Sequence, residues 1–309
     1  MLSQTGKLMT PLIILMYALF ASTFSTGKIL LDYCSPILLV AIRMIPAGLI
    51  LVLYHVWRHE RLPHYNKKDI YLFAQIVVIG MWAAYSFRFW GLKYLPSAKT
   101  ALLYNVSPFF TSIYSYLFFN EKMTRKQWFG LTIGFFGMIP ILLSTSAAEQ
   151  KIGEFFYISW PELAVLTAAA LQSYGWIVVR TLVRERHHSP SLVNGISMLF
   201  GGILSLITAP LLETFIPMHD LPIFLGWLTY VVIVSNIICS NLYGYLLKHY
   251  SATFVAFAGF VLPIFAALYG WGFLNEQITW HFYTSCTIFI IGIYLFYQDE
   301  LKGKMLYAE

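Results

Sequence analysis

One stretch of this chain occurs twice. The first copy, Leu92 to Gly137, reads LKYLPSAKTALLYNVSPFFTSIYSYLFFNEKMTRKQWFGLTIGFFG. The second, Leu247 to Gly292, reads LKHYSATFVAFAGFVLPIFAALYGWGFLNEQITWHFYTSCTIFIIG. With an offset of 155 positions and no gap, Lys93 meets Lys248, Ala101 meets Ala256, Pro108 meets Pro263 and Tyr114 meets Tyr269. Asn120-Glu121 meets Asn275-Glu276, Thr124 meets Thr279 and Gly137 meets Gly292. Two such copies must share one local fold. Because they are long apolar helices rather than short solenoid units, they point to a duplicated membrane protein.

Composition agrees. Of 309 residues, 59% are hydrophobic and 11% charged, where a soluble domain carries roughly 25% charge. Such a chain cannot cover a soluble surface and belongs in a lipid bilayer. Aromatics reach 18%, more than interfacial belts need, so the excess can line a cavity. Cys34, Cys239 and Cys286 share no metal-ligand spacing and read as small apolar residues. No metal, cofactor or nucleic-acid partner is implied. The formal charge of +6 reflects basic cytoplasmic loops. The first apolar run lacks a small-residue cleavage site and reads as a span rather than a signal peptide.

Spans of about 20 apolar residues are expected at 10–28, 36–57, 69–90, 97–119, 126–145, 160–183, 191–212, 222–246, 252–274 and 279–298. Pro36, Pro161, Pro190 and Pro222 sit near helix starts, where a missing N–H costs little. Pro108 and Pro263 fall inside spans and should kink them. The longest polar link, Ser144–Ser159, separates two five-helix halves, residues 10–145 and 160–298.

Lys and Arg set the orientation. Arg58, Arg61, Lys67, Lys68, Lys122, Arg125, Lys126, Arg184, Arg186, Lys248, Lys302 and Lys304 fall on one side, against Lys28, Lys93 and Lys151 on the other. The positive-inside rule places both termini in the cytoplasm. Five helices per half then insert the second half upside down. The charges agree: NEKMTRKQW is basic, its copy NEQITWHFY carries no Lys or Arg, KILLDYCSP is nearly uncharged and VRERHHSP is basic. The expected fold is an all-α membrane protein, ten transmembrane helices in two inverted five-helix repeats around a central cavity. That architecture serves secondary transporters.

The run from Gly91 to Leu142, with a small-residue helix start, an internal Pro, an acidic loop and a Gly-spaced helix, resembles the EamA domain of the drug/metabolite transporter superfamily. Gly244–Tyr283 resembles its second copy, and SPILLVAIRMIPAGLIL around Arg43 resembles its Arg-bearing second helix. The resemblance covers residues 10–298. It implies ten helices, a cavity open alternately to each side, and a bacterial-type inner membrane. It does not select a substrate: some members from obligate intracellular bacteria exchange S-adenosylmethionine for S-adenosylhomocysteine, and others carry other metabolites. Asn120 and Asn275 stand where Gly is usual, which predicts altered loop turns.

An ionisable side chain in hydrocarbon needs a reason. Arg43, near one-third depth of its span, either pairs with a substrate carboxylate or phosphate or is a structural arginine satisfied by helix-end carbonyls. Arg88, near Tyr85, either snorkels or stands at the cavity mouth; Lys99 has the same two readings. Arg180 is expected to snorkel. Tyr104 and Asn105 precede Pro108, which frees the Tyr104 carbonyl; Gly259 and Phe260 are the matching pair. Such kinked midpoints are where an inverted-repeat transporter builds its site. Gln172, Trp176 and Asn241 are further candidates, while Gln75 and Asn236 read as interhelical hydrogen bonds. Glu121 and Glu276 read as loop-fixing or capping residues. No membrane-embedded carboxylate is evident, which favours exchange over a proton relay.

The expected function is secondary transport of a small polar metabolite, an amino acid or a derivative such as S-adenosylmethionine or S-adenosylhomocysteine, with one chain sufficing. A multidrug or nucleotide-type exporter is the alternative. A membrane enzyme is remote: the histidines of HERLPH and RERHHS lie in basic loops without acidic partners at ligand spacing.

Overall fold

The computed structural model describes residues 2–58, 65–121, 123–144, 146–214 and 220–306. Arg61, Lys122 and the HERLPH histidines lie outside the described residues. The chain forms α1 (Leu2–Leu31), α2 (Pro36–Trp57) and α3 (Lys67–Tyr94). Then come α4 (Ser97–Tyr104), α5 (Ser107–Phe119), α6 (Arg125–Phe136), α7 (Ile139–Leu142) and α8 (Ala147–Ile152). After a hairpin of β1 (Glu154–Phe155) and β2 (Ile158–Ser159) follow α9 (Trp160–Glu185), α10 (Pro190–Leu212), α11 (Leu221–His249), α12 (Ala252–Leu274) and α13 (Trp280–Leu306). Among the described residues, seven helices are long and apolar enough to cross a membrane. Large apolar side chains such as Leu53, Leu117, Phe129, Ile207 and Leu211 face outward, as a surface wetted by lipid allows. This is a multi-pass membrane protein.

Two predicted spans are shorter or broken, and prolines explain both. Pro108 has no N–H for the Tyr104 carbonyl, and α4 ends at Tyr104. Pro140 has none for the Phe136 carbonyl, and α6 ends at Phe136 instead of running to 145. In α12, Pro263 follows a tight turn at Gly259–Val261. Pro46 and Pro210 stay inside α2 and α10 without ending them. Those two helices clamp each other along their length: a Cβ on Gly48 would stand 2.4 Å from the Leu199 nitrogen, and one on Gly202 3.0 Å from the Ile45 nitrogen. The same close approach joins α6 to α13, where a Cβ on Gly292 would stand 2.7 Å from the Gly130 carbonyl. In lipid, where apolar burial between helices gains little, small-residue contacts of this kind supply the association.

Besides the π-type end of α9 at Thr181–Glu185, two helices carry wide π-type turns within their length, Ile76–Ala83 in α3 and Val232–Cys239 in α11. They occupy matching places in the two copies, within one residue. In each, a backbone N–H reaches five residues back, Ala84 to Ile79 and Ser240 to Ser235.

The loop turns do not differ as the missing glycines predict. Asn120 and Asn275 both adopt the left-handed conformation, φ 52° and 51°, the region Asn tolerates best after Gly. Glu121 N–H then bonds Ser115 O at 3.4 Å, and Glu276 N–H bonds Gly270 O at 3.1 Å. These are equivalent bonds closing equivalent helices.

The polar link overturns one expectation. Glu149 and Glu162 are buried carboxylates, 1% and 0% exposed. Each completes a capping box, with Ser146 and with Ser159. Lys99 Nζ bridges them at 2.7 and 2.6 Å and also donates to the Ser144 carbonyl. Lys99 therefore does not snorkel; it ties the first turn of α4 to the link. The partial positive charge of two helix starts offsets the cluster's surplus negative charge.

Candidate functional site: a central aromatic cavity with one cation

The cavity forms where α4 breaks. Asn105 N–H turns back to the Ala101 and Leu102 carbonyls, and Val106 N–H to Leu103, leaving both side chains before Pro108 turned inward. Tyr104 and Asn105 line one wall. Gly259, 155 positions after Tyr104, lines the facing wall. A Cβ there would lie 2.7 Å from the Tyr17 ring, so only Gly admits that ring. Tyr17 OH donates to the Val255 carbonyl at 2.5 Å and fixes α1 against α12. Gln172 and Trp176 come from α9 and Tyr243 from α11. Trp176 and Tyr243 stack, centroids 4.1 Å apart at 28°.

Arg88 is the cation of this cavity. It is 8% exposed and lies over the rings of Tyr85 at 4.4 Å, Phe89 at 4.9 Å, Tyr104 at 5.4 Å and Phe24 at 5.6 Å. Four rings surround the guanidinium and Tyr104 shares a side-chain hydrogen bond with it, which leaves further donors of its planar fork for a ligand. No carboxylate lines the cavity among the described residues. In the second copy Tyr243 stands 155 positions after Arg88, so the duplicated positions carry a cation on one side and an aromatic ring on the other. The volume is about 60 Å³, room for a few waters at ~10–15 Å³ each. A metabolite enters only when the helices separate.

Of the residues singled out in the sequence, Tyr85, Arg88, Tyr104, Asn105, Gln172 and Trp176 meet at this cavity. Arg43, Asn241 and Phe260 do not line it. Arg43 is fully buried. Its Nε donates to Asn236 Oδ1 at 3.0 Å and its Nη2 to Ser235 Oγ at 3.0 Å and Asn236 Oδ1 at 2.5 Å. Side chains on the wide turn of α11, not helix-end carbonyls, hold its Nε and Nη2, while its buried Nη1 meets no partner. Its guanidinium also lies 5.4 Å from the Tyr85 ring and 5.2 Å from the Phe89 ring, the two rings that Arg88 contacts. Asn241 Nδ2 bonds back to Ile237 O at 2.7 Å. Phe260 packs on Phe109 and Phe289.

The α1 residues Tyr17, Phe20 and Phe24, and Ser173 of α9, also line the cavity and were not singled out. The polar run Ser22-Thr23 with Ser25-Thr26 inside an apolar span is the signal that marks α1 as cavity-facing. A larger hollow, about 440 Å³, lies among Trp82, Phe87, Trp90 and Trp160. Its one charged lining residue, Glu213, already accepts from Ile37 N–H at 2.8 Å, so it lacks the convergent polar groups of a ligand site.

The ends of the bundle above and below the cavity differ. At one, the Glu276 carboxylate accepts from Ser97 N–H at 2.8 and 3.0 Å, Ser97 Oγ at 2.6 Å and Ala98 N–H at 3.4 Å. It thereby caps α4 from across the bundle. At the other, Glu121 accepts from Arg180 Nη2 at 2.5 Å, and Arg180 lies over the Phe119 ring at 3.9 Å. Arg180 is buried and does not snorkel.

A protein of Chlamydia muridarum named S-adenosylmethionine/S-adenosylhomocysteine transporter is 32% identical over 96% of this chain and 94% of its own. One of the same name from Chlamydia trachomatis is 31% identical over 96% and 92%. A solved crystal structure, 18% identical, superposes with a TM-score of 0.68 over 93% of this chain and 95% of that one, which shows a shared fold. The EamA-like transporter family matches residues 8–143 and again 159–298; the chain belongs to that family.

Proposed function

We propose that this transporter exchanges S-adenosylmethionine for S-adenosylhomocysteine by alternating access, without ATP and without chemistry on the substrate. The observation that carries the reading is Arg88, a buried cation among aromatic rings in a cavity without a carboxylate. It suits the amino-acid carboxylate of both compounds, and the rings suit the adenine and the sulfonium. The relatives' names and coverage support the same substrates. The buried carboxylates Glu149 and Glu162 are tied to Lys99 and do not line this cavity, so a proton relay through it has no carrier. Substrate gradients then drive exchange.

The architecture that fits is ten membrane helices in two inverted halves, residues 10–145 and 160–298, with both termini in the cytoplasm of a bacterial-type inner membrane. One chain suffices. A multidrug exporter for cations that bring no carboxylate of their own is disfavoured, because Arg88 repels them where no acid compensates.

Counterflow in proteoliposomes is the test. Vesicles preloaded with S-adenosylhomocysteine should take up labelled S-adenosylmethionine several-fold faster than empty ones. No acceleration by either compound, with acceleration by amino acids or cationic dyes, would overturn the proposal.

A further inference from the structure

We infer that the carboxamide of Asn105 reads the edge of the purine, its Nδ2 donating to a ring nitrogen of adenine. This deepens the adenosyl reading above and rests on it.

Asn105 is 4% exposed, and its Nδ2 is buried without a hydrogen-bond partner. Folded proteins seldom leave such a donor unmet, because its desolvation is uncompensated. The residue lines the cavity. The backbone of the helix break is satisfied by other groups: Asn105 N–H bonds the Ala101 and Leu102 carbonyls, so its side chain is not consumed in capping. Nor does the fold require an amide there. The matching position in the second copy is Phe260, packed on Phe109 and Phe289 at 6.1 and 5.7 Å. The duplicated scaffold accepts an apolar ring at this place; the first copy has a polar residue on the cavity wall.

In the loaded cavity an acceptor on the ligand supplies the missing partner. The walls beside it are aromatic: Tyr104 is adjacent, and the Trp176–Tyr243 stack lines the same cavity. A flat heteroaromatic ring offers faces to such walls and an edge to the amide. Adenine carries ring-nitrogen acceptors beside an amino donor, the complement that lets an Asn side chain read adenine in DNA. Arg88 serves the other end of the ligand, the carboxylate. The same cavity then reads charge through Arg88 and the base through Asn105.

The test replaces single ring nitrogens. S-adenosylhomocysteine and its 1-deaza, 3-deaza and 7-deaza analogues compete for counterflow of labelled S-adenosylmethionine in the wild type, Asn105→Ala and Asn105→Asp. In the wild type one deaza analogue should compete about ten-fold less well than the parent. In Asn105→Ala that ratio should fall to about one. Asn105→Asp keeps the volume but sets an acceptor against an acceptor, and should weaken the parent compound by about ten-fold. Thermal melting of each variant checks the fold; Asn105→Ala, truncated into a cavity, keeps it. If S-adenosyl compounds exchange but the deaza ratio is unchanged in Asn105→Ala, or all three analogues compete like the parent, the base-reading role is overturned and the substrate proposal stands. If the wild type exchanges no S-adenosyl compound, the substrate proposal fails and this inference with it.

Discussion

Glu121 and Glu276 share an Asn-Glu pair, with the Asn left-handed and the same backbone bond behind them. Their carboxylates do different things. Glu276 is clamped on the first turn of α4, whereas the side chain of Glu121 is one-third exposed (33%) and meets a single arginine. The cause lies one helix turn away. Gly270, the residue whose carbonyl closes the Glu276 turn, leaves room for Ser97 and the carboxylate; a Cβ there would stand 2.6 Å from both. The matching position before Glu121 is Ser115, which already has a side chain. The same Asn-Glu turn therefore yields one tightly closed end and one held by an ion pair. The lesson is that duplicated loops are equal as backbone and unequal as latches.

That contrast can be broken by substitution. The largest effect belongs to Lys99→Met, which leaves Glu149 and Glu162 buried without their cation beside the Glu276 latch; a loss of ~3–5 kcal/mol is expected in denaturation. Arg180→Met at the opposite end leaves only the part-exposed Glu121 and should cost ~1 kcal/mol. Next, Glu276→Gln weakens the cap on α4 and should cost ~1–2 kcal/mol, against ~0–1 for Glu121→Gln. Equal losses at the two ends would mean that the latches are equivalent. Gly270→Ala should part Ser97 from Glu276. Spin-label distances across the α4–α12 end should lengthen, with a stability loss of about 1–2 kcal/mol; an unchanged distance would remove Gly270 from the latch. The smallest effect tests the shared backbone: Asn120→Gly and Asn275→Gly should both be neutral within ~0.5 kcal/mol, while the Ala variants lose ~1 each. Unlike responses would break the equivalence of the two turns.

Where a backbone cause was written in the sequence, the fold was legible. The offset of 155 positions, the prolines at 108 and 263 and the Asn-Glu pairs all name local events. Tyr104 and Asn105 came to notice through Pro108, because a missing N–H marks a place independently of which helix face points inward. Arg43 has no such mark, and Phe260, marked by Pro263 as Asn105 is by Pro108, packs on Phe109 and Phe289 instead. Their helices are apolar nearly all round, and an apolar helix carries no periodic sign of its inner face. Arg43 turned to Asn236 on a helix 193 positions away, a contact without local signal. The buried carboxylates were readable in principle, since Ser-x-x-Glu occurs at 146–149 and 159–162. What stayed hidden was Lys99, whose reach to both depends on the link folding back over α4.

The wide turns at Ile76–Ala83 and Val232–Cys239 have a consequence for aim. Each residue of an α-helix advances the azimuth by about 100°, so one residue accommodated in a wide turn changes the phase of everything beyond it. Arg88 and Tyr243 both lie one to two turns beyond. Their bearing on the cavity is thus a setting of the slack before them, as a vernier sets a pointer without lengthening its arm. Deleting one residue from the regular helix between either wide turn and its cavity group would leave the span long enough for its bilayer and swing that group about 100° away from the cavity.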